Sequence, residues 1–158
     1  MCAYSCVVKI ILAPVDFSDV SDAVVAEASA LARALAGRVV LLTVIQPPVI
    51  TSEYAPLMEN IAEIMAAGEK AAAKRLAAMQ DKLKAESLPV ESIQLNGAPV
   101  QQIAEQARKL SADYIVMGSH GHTAFYDLLV GSTTHGVLVR AICPVVIVPS
   151  QKKASRKK

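Results

Sequence analysis

Tyr114-Ile115-Val116-Met117-Gly118-Ser119-His120-Gly121 is followed, after the nine residues His122 to Val130, by Gly131-Ser132. An apolar, β-branched run thus ends in a glycine and a small polar loop. The loop closes where a helical stretch, Thr133 to Arg140, begins. Glycine lets a backbone approach an anion closely, and the unpaired N–H groups of a helix start point toward one. The pattern G-x2-G-x9-G-S at a strand-to-helix junction therefore predicts a phosphate site, and nucleotide binding is the first functional expectation.

Working outward, Val7 to Val15, Val39 to Ile45 and Val145 to Val148 repeat the character of Tyr114 to Met117: short, near-continuous and β-branched. Such runs are strands covered by helices on both faces, which means a parallel sheet. Val90 to Leu95 is interrupted by Glu91, Ser92 and Gln94 and reads as an edge strand. Between the strands, Val25, Ala28, Leu31, Ala32 and Leu35 recur at helical spacing, with Gly37 expected at the C-cap. Ile61, Ile64, Met65, Gly68, Ala72, Leu76, Met79 and Leu83 form a longer stripe from about Asn60 to Ser87, expected to pack in the core. Pro99 suits the first position of a third helix bearing Val100, Ile103, Ala104, Ala107 and Leu110. The order is β-α-β-α-β-α-β-α-β: an α/β fold, a single doubly wound five-stranded parallel sheet with helices on both faces. The connection Gln46 to Glu59, with Pro47, Pro48 and Pro56, is long enough to serve as a lid over a ligand.

Composition narrows the function classes. The chain has 158 residues, 53% hydrophobic, with no Trp, two Phe and four Tyr. Of its 16 basic side chains, five (Lys152, Lys153, Arg156, Lys157 and Lys158) crowd the last seven residues, leaving 11 against 14 acidic ones in the remainder. The folded body is mildly acidic, which argues against a nucleic-acid-binding face. The division is a domain over 1–150 and a basic, disordered tail over 151–158. Cys2 and Cys6 lack a second pair at ligand spacing, and Cys143 reads as a buried small side chain, so no metal site is expected. The longest stretch free of charged residues, Val39 to Ser52, is too short to span a membrane, and a reducing cytoplasm is the expected location.

Ligands of doubly wound sheets sit outside the carboxyl ends of the strands where strand order reverses. Two loops have suitable content: Ala13-Pro14-Val15-Asp16-Phe17-Ser18 after the first strand, and Gly118-Ser119-His120-Gly121-His122 after the fourth. With those strands adjacent, Asp16 would face a ribose hydroxyl, the glycine loop would wrap phosphates, and Val44 would supply an apolar edge for a base. Asp16 and Ser18 are also residues that cap helices, a role compatible with ligand contact. His135 falls on the last helix and reads as structural or as part of a dimer contact.

The chain resembles the universal stress protein family, specifically its ATP-binding branch. The resemblance spans Ile10-Ile11-Leu12-Ala13-Pro14-Val15-Asp16-Phe17-Ser18, Leu41-Leu42-Thr43-Val44-Ile45, Gly97 with Pro99, the glycine motif through Gly131-Ser132-Thr133, and Cys143-Pro144-Val145-Val146-Ile147-Val148-Pro149. It implies a Rossmann-like, adenine nucleotide alpha hydrolase-like fold with strand order 3-2-1-4-5. It also implies a site in which Pro14, Val15, Asp16 and Val44 line the adenosine and Met117 and Gly118 close over it. His120, Gly121, Gly131, Ser132 and Thr133 would hold the phosphates of ATP, or of ADP or AMP, with Mg2+ accompanying the nucleotide. The resemblance further implies a homodimer joined through the last strand, Val145 to Pro149, and a regulatory role exerted on an unidentified protein partner.

Catalytic groups are harder to find. The chain has no G-x4-G-K-[ST], and Gly118 to Ser132 contains no Lys or Arg. Arg140 lies eight residues past Ser132, about 12 Å along a helix. Phosphoryl transfer relies on positive charge at the transferred group, so the expectation is a nucleotide-dependent sensor with no catalytic residue assigned. The alternatives are a slow ATPase or phosphotransferase using His120 or His122, and a nucleotide-free structural member of the same fold.

Overall fold

The computed structural model describes residues 8–47, 61–119 and 130–150. In chain order the elements are β1 (Ile10–Pro14), α1 (Ser21–Ala34), β2 (Arg38–Ile45), α2 (Ile61–Ala85), β3 (Val90–Asn96), α3 (Pro99–Leu110), β4 (Tyr114–Gly118), α4 (Ser132–Arg140) and β5 (Val145–Val148). The strands form one parallel sheet in the order β3-β2-β1-β4-β5, so the α/β doubly wound architecture and the strand order 3-2-1-4-5 are as expected. Ile11 pairs with Val39 on one side and Tyr114 on the other, and Ile115 pairs with Val145.

Side chains alternate along each strand, and the alternation sorts the core into two layers. Ile11, Ala13 and Val15 of the first strand and its loop, with Val39, Leu41 and Val116, pack under Val24, Val25, Ala28 and Ala32 of α1 and Leu76 and Leu83 of α2. Leu12, Val40, Leu42, Ile115 and Met117 face the other way, toward Ile103 and Ala107 of α3 and Val137 of α4. β3 lies at one edge, as its polar interruptions require, and β5 lies at the other.

Two expectations need correction. Gly37 does not occupy the left-handed position that ends α1; Ala36 does, at φ 50°, and the Gly37 N–H reaches back to the Ala32 carbonyl at 2.8 Å. Gly37 is needed for clearance, because a Cβ there would meet the Lys9 carbonyl oxygen at 2.5 Å and Ile11 Cδ1 at 2.9 Å.

The α2 stripe is the second case. Leu76 and Leu83 are buried, but Ile64 is 68% exposed and Met65 only half-buried. The reason is length. A helix of 25 residues runs about 37 Å, whereas the eight residues of β2 run about 26 Å. The last residue of β3, Asn96, donates to Glu69 Oε1 at 2.9 Å, and Gln94 donates to the Glu69 carbonyl at 3.2 Å. Glu69 is therefore level with the end of the sheet, and residues 61–68 overhang its carboxyl edge.

Candidate functional site

The chain order forces an opening at one place. α1 and α2 connect β1, β2 and β3 over one face; α3 then crosses back over the other face so that β4 lies beside β1. The loops leaving β1 and β4 depart toward opposite faces, and a cleft of about 390 Å³ lies between them. Every predicted site residue within the described chain lines it: Pro14, Val15 and Asp16 after β1, Val44 near the end of β2, Met117 and Gly118 at the end of β4, and Gly131, Ser132 and Thr133 at the start of α4. His120 and Gly121 lie outside the described residues, as do His122 and nearly all of the Gln46 to Glu59 connection. Val15 and Met117 are buried and Val44 half-buried, giving the cleft apolar walls, while Asp16 is exposed at its mouth.

The loop after β1 is built around Asp16. Its Oδ1 accepts the Ser18 amide at 3.0 Å, the Ser18 hydroxyl and the Ser21 hydroxyl at 3.3 Å. Asp16 thus ties its own loop to the first turn of α1 through Ser21 without capping that helix, whose N-cap residue is Val20. Between Asp16 and Ser18 sits Phe17 at φ 62°, a left-handed conformation that costs a bulky residue about 1–3 kcal/mol. Arg75 of α2 meets it from the other side. The guanidinium lies 4.5 Å from the ring centroid, and Nη2 donates to the Phe17 carbonyl at 3.1 Å.

The loop after β4 is pinned at both ends. The Ser119 amide donates to the Val148 carbonyl at 2.8 Å, and the Gly131 amide donates to the Ser119 carbonyl at 2.7 Å. The Ser119 hydroxyl accepts the Ser150 amide at 3.2 Å, and Thr134 Oγ1 donates to the Gly118 carbonyl at 2.8 Å. These bonds fix the spacing between the end of β4 and the start of α4 whatever path residues 120–129 take. α4 opens from Gly131 in an extended conformation with no side-chain cap, so its first N–H groups lack intrahelical acceptors. Gly136 lets α4 close on α3, since a Cβ there would come within 2.8 Å of Val100 Cγ2.

Other sequence-predicted residues fall away from the cleft. Arg140 ends α4, donating to the Gly136 carbonyl at 3.2 Å, and His135 is exposed on the same helix. Cys143 is half-buried rather than buried; burial, reinforced by the charge of Asp113, pushes its thiol pKa up. Cys2 and Cys6 lie outside the described residues. Among the described residues no group of three or more His, Cys, Asp or Glu side chains could hold a metal ion, and no helix is long and apolar enough to cross a membrane. The described lining contains one charged side chain, Asp16.

The structure adds lining residues that sequence reasoning missed. Thr43 is buried at 3% exposure at the cleft; a lone hydroxyl inside the apolar run Leu41 to Ile45 was the available signal. Ala72 of α2 and Ile103 of α3 also contribute, and both read only as core positions of amphipathic helices. Arg75 carried no signal, being one of several exposed cations on α2.

Fold and cleft together define a doubly wound α/β domain with a crevice where its strand order reverses. The model of the universal stress protein family matches residues 8–149, and the chain belongs to that family. It is 31% identical over 146 residues to universal stress protein MJ0531 of Methanocaldococcus jannaschii, covering 92% of this chain and 84% of the relative. Among solved structures it is similar to universal stress protein UspA from Lactobacillus plantarum, with a TM-score of 0.78 and 26% identity over 89% of this chain and 97% of the other. It is also similar to a universal stress protein in complex with cAMP, with a TM-score of 0.63 and 26% identity over 91% and 98% of the two chains.

Proposed function

We propose that this chain binds an adenine nucleotide, ATP foremost, in the cleft between the β1 and β4 loops, and acts in the cytoplasm as a nucleotide-dependent sensor or regulator of a stress response. The observation that carries the reading is the composition of the cleft: apolar walls from Val15, Val44 and Met117, a carboxylate from Asp16, and the uncapped start of α4 at Ser132, all in one space of about 390 Å³. An adenine fits between the apolar walls, a ribose hydroxyl donates to Asp16, and phosphates meet the N–H groups at Ser132 and Thr133 and the Ser132 hydroxyl. Pro14 and Gly118 border the nucleoside, and Gly131, with His120 and Gly121, completes the phosphate grip. Mg2+ would accompany the nucleotide and offset the charge of its phosphates. The related fold in complex with cAMP supports an adenine ligand.

The proposed molecule is a homodimer joined along Val145 to Pro149. β5 is an edge strand of four apolar residues, and Leu138, Val139 and Ile142, close to it in the chain, are 43%, 70% and 54% exposed. An uncovered edge of this kind invites pairing with a second strand. Nucleotide occupancy would then alter a surface presented to a regulatory protein partner. Calorimetric titration with Mg-ATP tests the reading: saturable binding is expected in the wild type and its loss in Gly118→Val. A flat titration at millimolar nucleotide refutes it.

A further inference from the structure

Four non-glycine residues among those described adopt positive φ: Phe17, Ala36, Ser87 and Ser111. The last three share one explanation. Each is followed by a residue whose N–H reaches back five positions to close a helix: Gly37 to Ala32, Leu88 to Leu83, and Ala112 to Ala107. Phe17 has no such closure. It is the largest of the four, it precedes α1 rather than ending a helix, and it adjoins the one carboxylate of the cleft lining.

What holds Phe17 comes from 58 residues away in the chain. The Arg75 guanidinium covers the aromatic face and binds the carbonyl of the same residue. A cation on the ring fixes the side chain, and a donor on the carbonyl fixes the peptide plane; together they determine the backbone angles at this residue. The same peptide is held at its other end by Asp16, which accepts the Ser18 amide and also the Ser21 hydroxyl. The orientation of the Asp16 carboxylate therefore depends on the turn at Phe17, and that turn is gripped by α2. Arg75 itself is exposed, so its removal leaves the core intact.

We propose that Arg75 is a positioning residue for the ligand site: by clamping Phe17 in the left-handed conformation, it sets the Asp16 carboxylate at the mouth of the cleft. The clamp stands on the chain's own contacts, and only its consequence for affinity rests on the nucleotide reading.

The test compares wild type, Arg75→Ala and the double variant Arg75→Ala/Phe17→Gly, because glycine adopts the left-handed conformation without steric cost. In ligand-free protein, residue-resolved amide exchange at Ser18 is expected to accelerate about tenfold in Arg75→Ala, while core amides such as Leu12 and Val116 are unchanged. It is expected to return to within about threefold of wild type in the double variant. Unaltered Ser18 exchange in Arg75→Ala overturns the proposal. So does acceleration shared by Leu12 and Val116, which marks a general loss of stability, and so does failure of Phe17→Gly to restore Ser18.

Titration with Mg-ATP and its 2′,3′-dideoxy analogue supplies the second readout. Arg75→Ala is expected to lose the preference for the ribose hydroxyls, and the double variant to regain it. An Arg75→Ala protein that keeps the preference refutes the coupling to Asp16. If wild type binds neither nucleotide, the nucleotide reading fails, and the exchange measurements alone decide whether the clamp exists.

Discussion

The two ends of the sheet are built by different rules. At the amino edge, α1, α2 and α3 each finish with a backbone closure, with N···O distances of 2.8, 3.1 and 2.9 Å at Gly37, Leu88 and Ala112. Asp113 there binds the Lys9 ammonium at 2.7 Å and the Ile10 amide at 2.9 Å. At the carboxyl edge, α1, α3 and α4 start from Val20, Ala98 and Gly131, and none of them has a side-chain cap. A missing cap forgoes about 1 kcal/mol per helix, and the left-handed Phe17 adds strain at the same edge. One end satisfies its backbone locally. The other keeps donors open around a cleft, which is where a ligand can supply the missing partners. Mutations at the amino edge are therefore expected to alter stability alone, and those at the carboxyl edge to alter binding as well.

The strongest challenge to that separation is Gly37→Val. The added side chain would collide with backbone at Lys9 as well as with Ile11, and yielding requires the edge of β1 to shift. A loss of about 3 kcal/mol is expected in urea unfolding, with nucleotide affinity of the remaining folded protein unchanged. Moving the glycine one position back, in Ala36→Gly, relieves the φ of 50° and is expected to add up to about 1 kcal/mol. Thr134→Val works at the other end. It removes the donor to the Gly118 carbonyl at a residue only 4% exposed, at a cost of about 1–2 kcal/mol. Unlike Gly37→Val, it is expected to weaken Mg-ATP binding in calorimetry, because the spacing between Gly118 and Ser132 loosens. Unchanged affinity would mean that Ser119 alone sets that spacing.

The sheet was legible because each of its signals was local. Strand runs, the polar interruptions of β3 and Pro99 at the start of α3 all act within a few residues, and they predicted the strand order together with the family resemblance. The cleft was legible for a related reason: glycine, serine and aspartate also serve turns and caps, but the full G-x2-G-x9-G-S spacing after one strand and Asp16 after another point to one place in the fold. What escaped depends on distance through space. Arg75 reaches Phe17 only because α2 packs over the β1 loop, and nothing in its own neighbourhood distinguishes it from Lys70, Lys74 or Lys82. Gly37 was assigned the wrong reason because sequence shows a glycine after a helix but not the Lys9 carbonyl above it. The α2 stripe continued past the point where the sheet could cover it; periodicity records which face is apolar, not how long the partner surface is.

The smallest expected effect separates the two ends most cleanly. The hydrogen bond from Lys9, followed by that from the Ile10 amide, lowers the Asp113 pKa below its ordinary 3.8. The same pair raises Lys9 above 10.5, chiefly through its hydrogen bond to Asp113. A depressed carboxylate pKa stabilises the fold above pH 3.8 and loses that contribution as pH falls through the lower, folded value. A raised ammonium pKa stabilises below pH 10.5 and loses its contribution as pH rises through the higher, folded value. Asp113→Asn should therefore be less stable than wild type by a small, constant margin across neutral pH, and the margin should shrink in acid below pH 3.8. Lys9 is largely exposed, so solvent screening keeps the margin modest and salt reduces it further. Urea unfolding from pH 2.5 to pH 7, run at low and high salt, reads all of this. Mg-ATP affinity at neutral pH should not change, because Asp113 lies at the amino edge and the cleft at the carboxyl edge. A fall in affinity that accompanied the stability loss would show that the two ends are mechanically coupled through β1 and β4, and the division of labour between them would have to be abandoned.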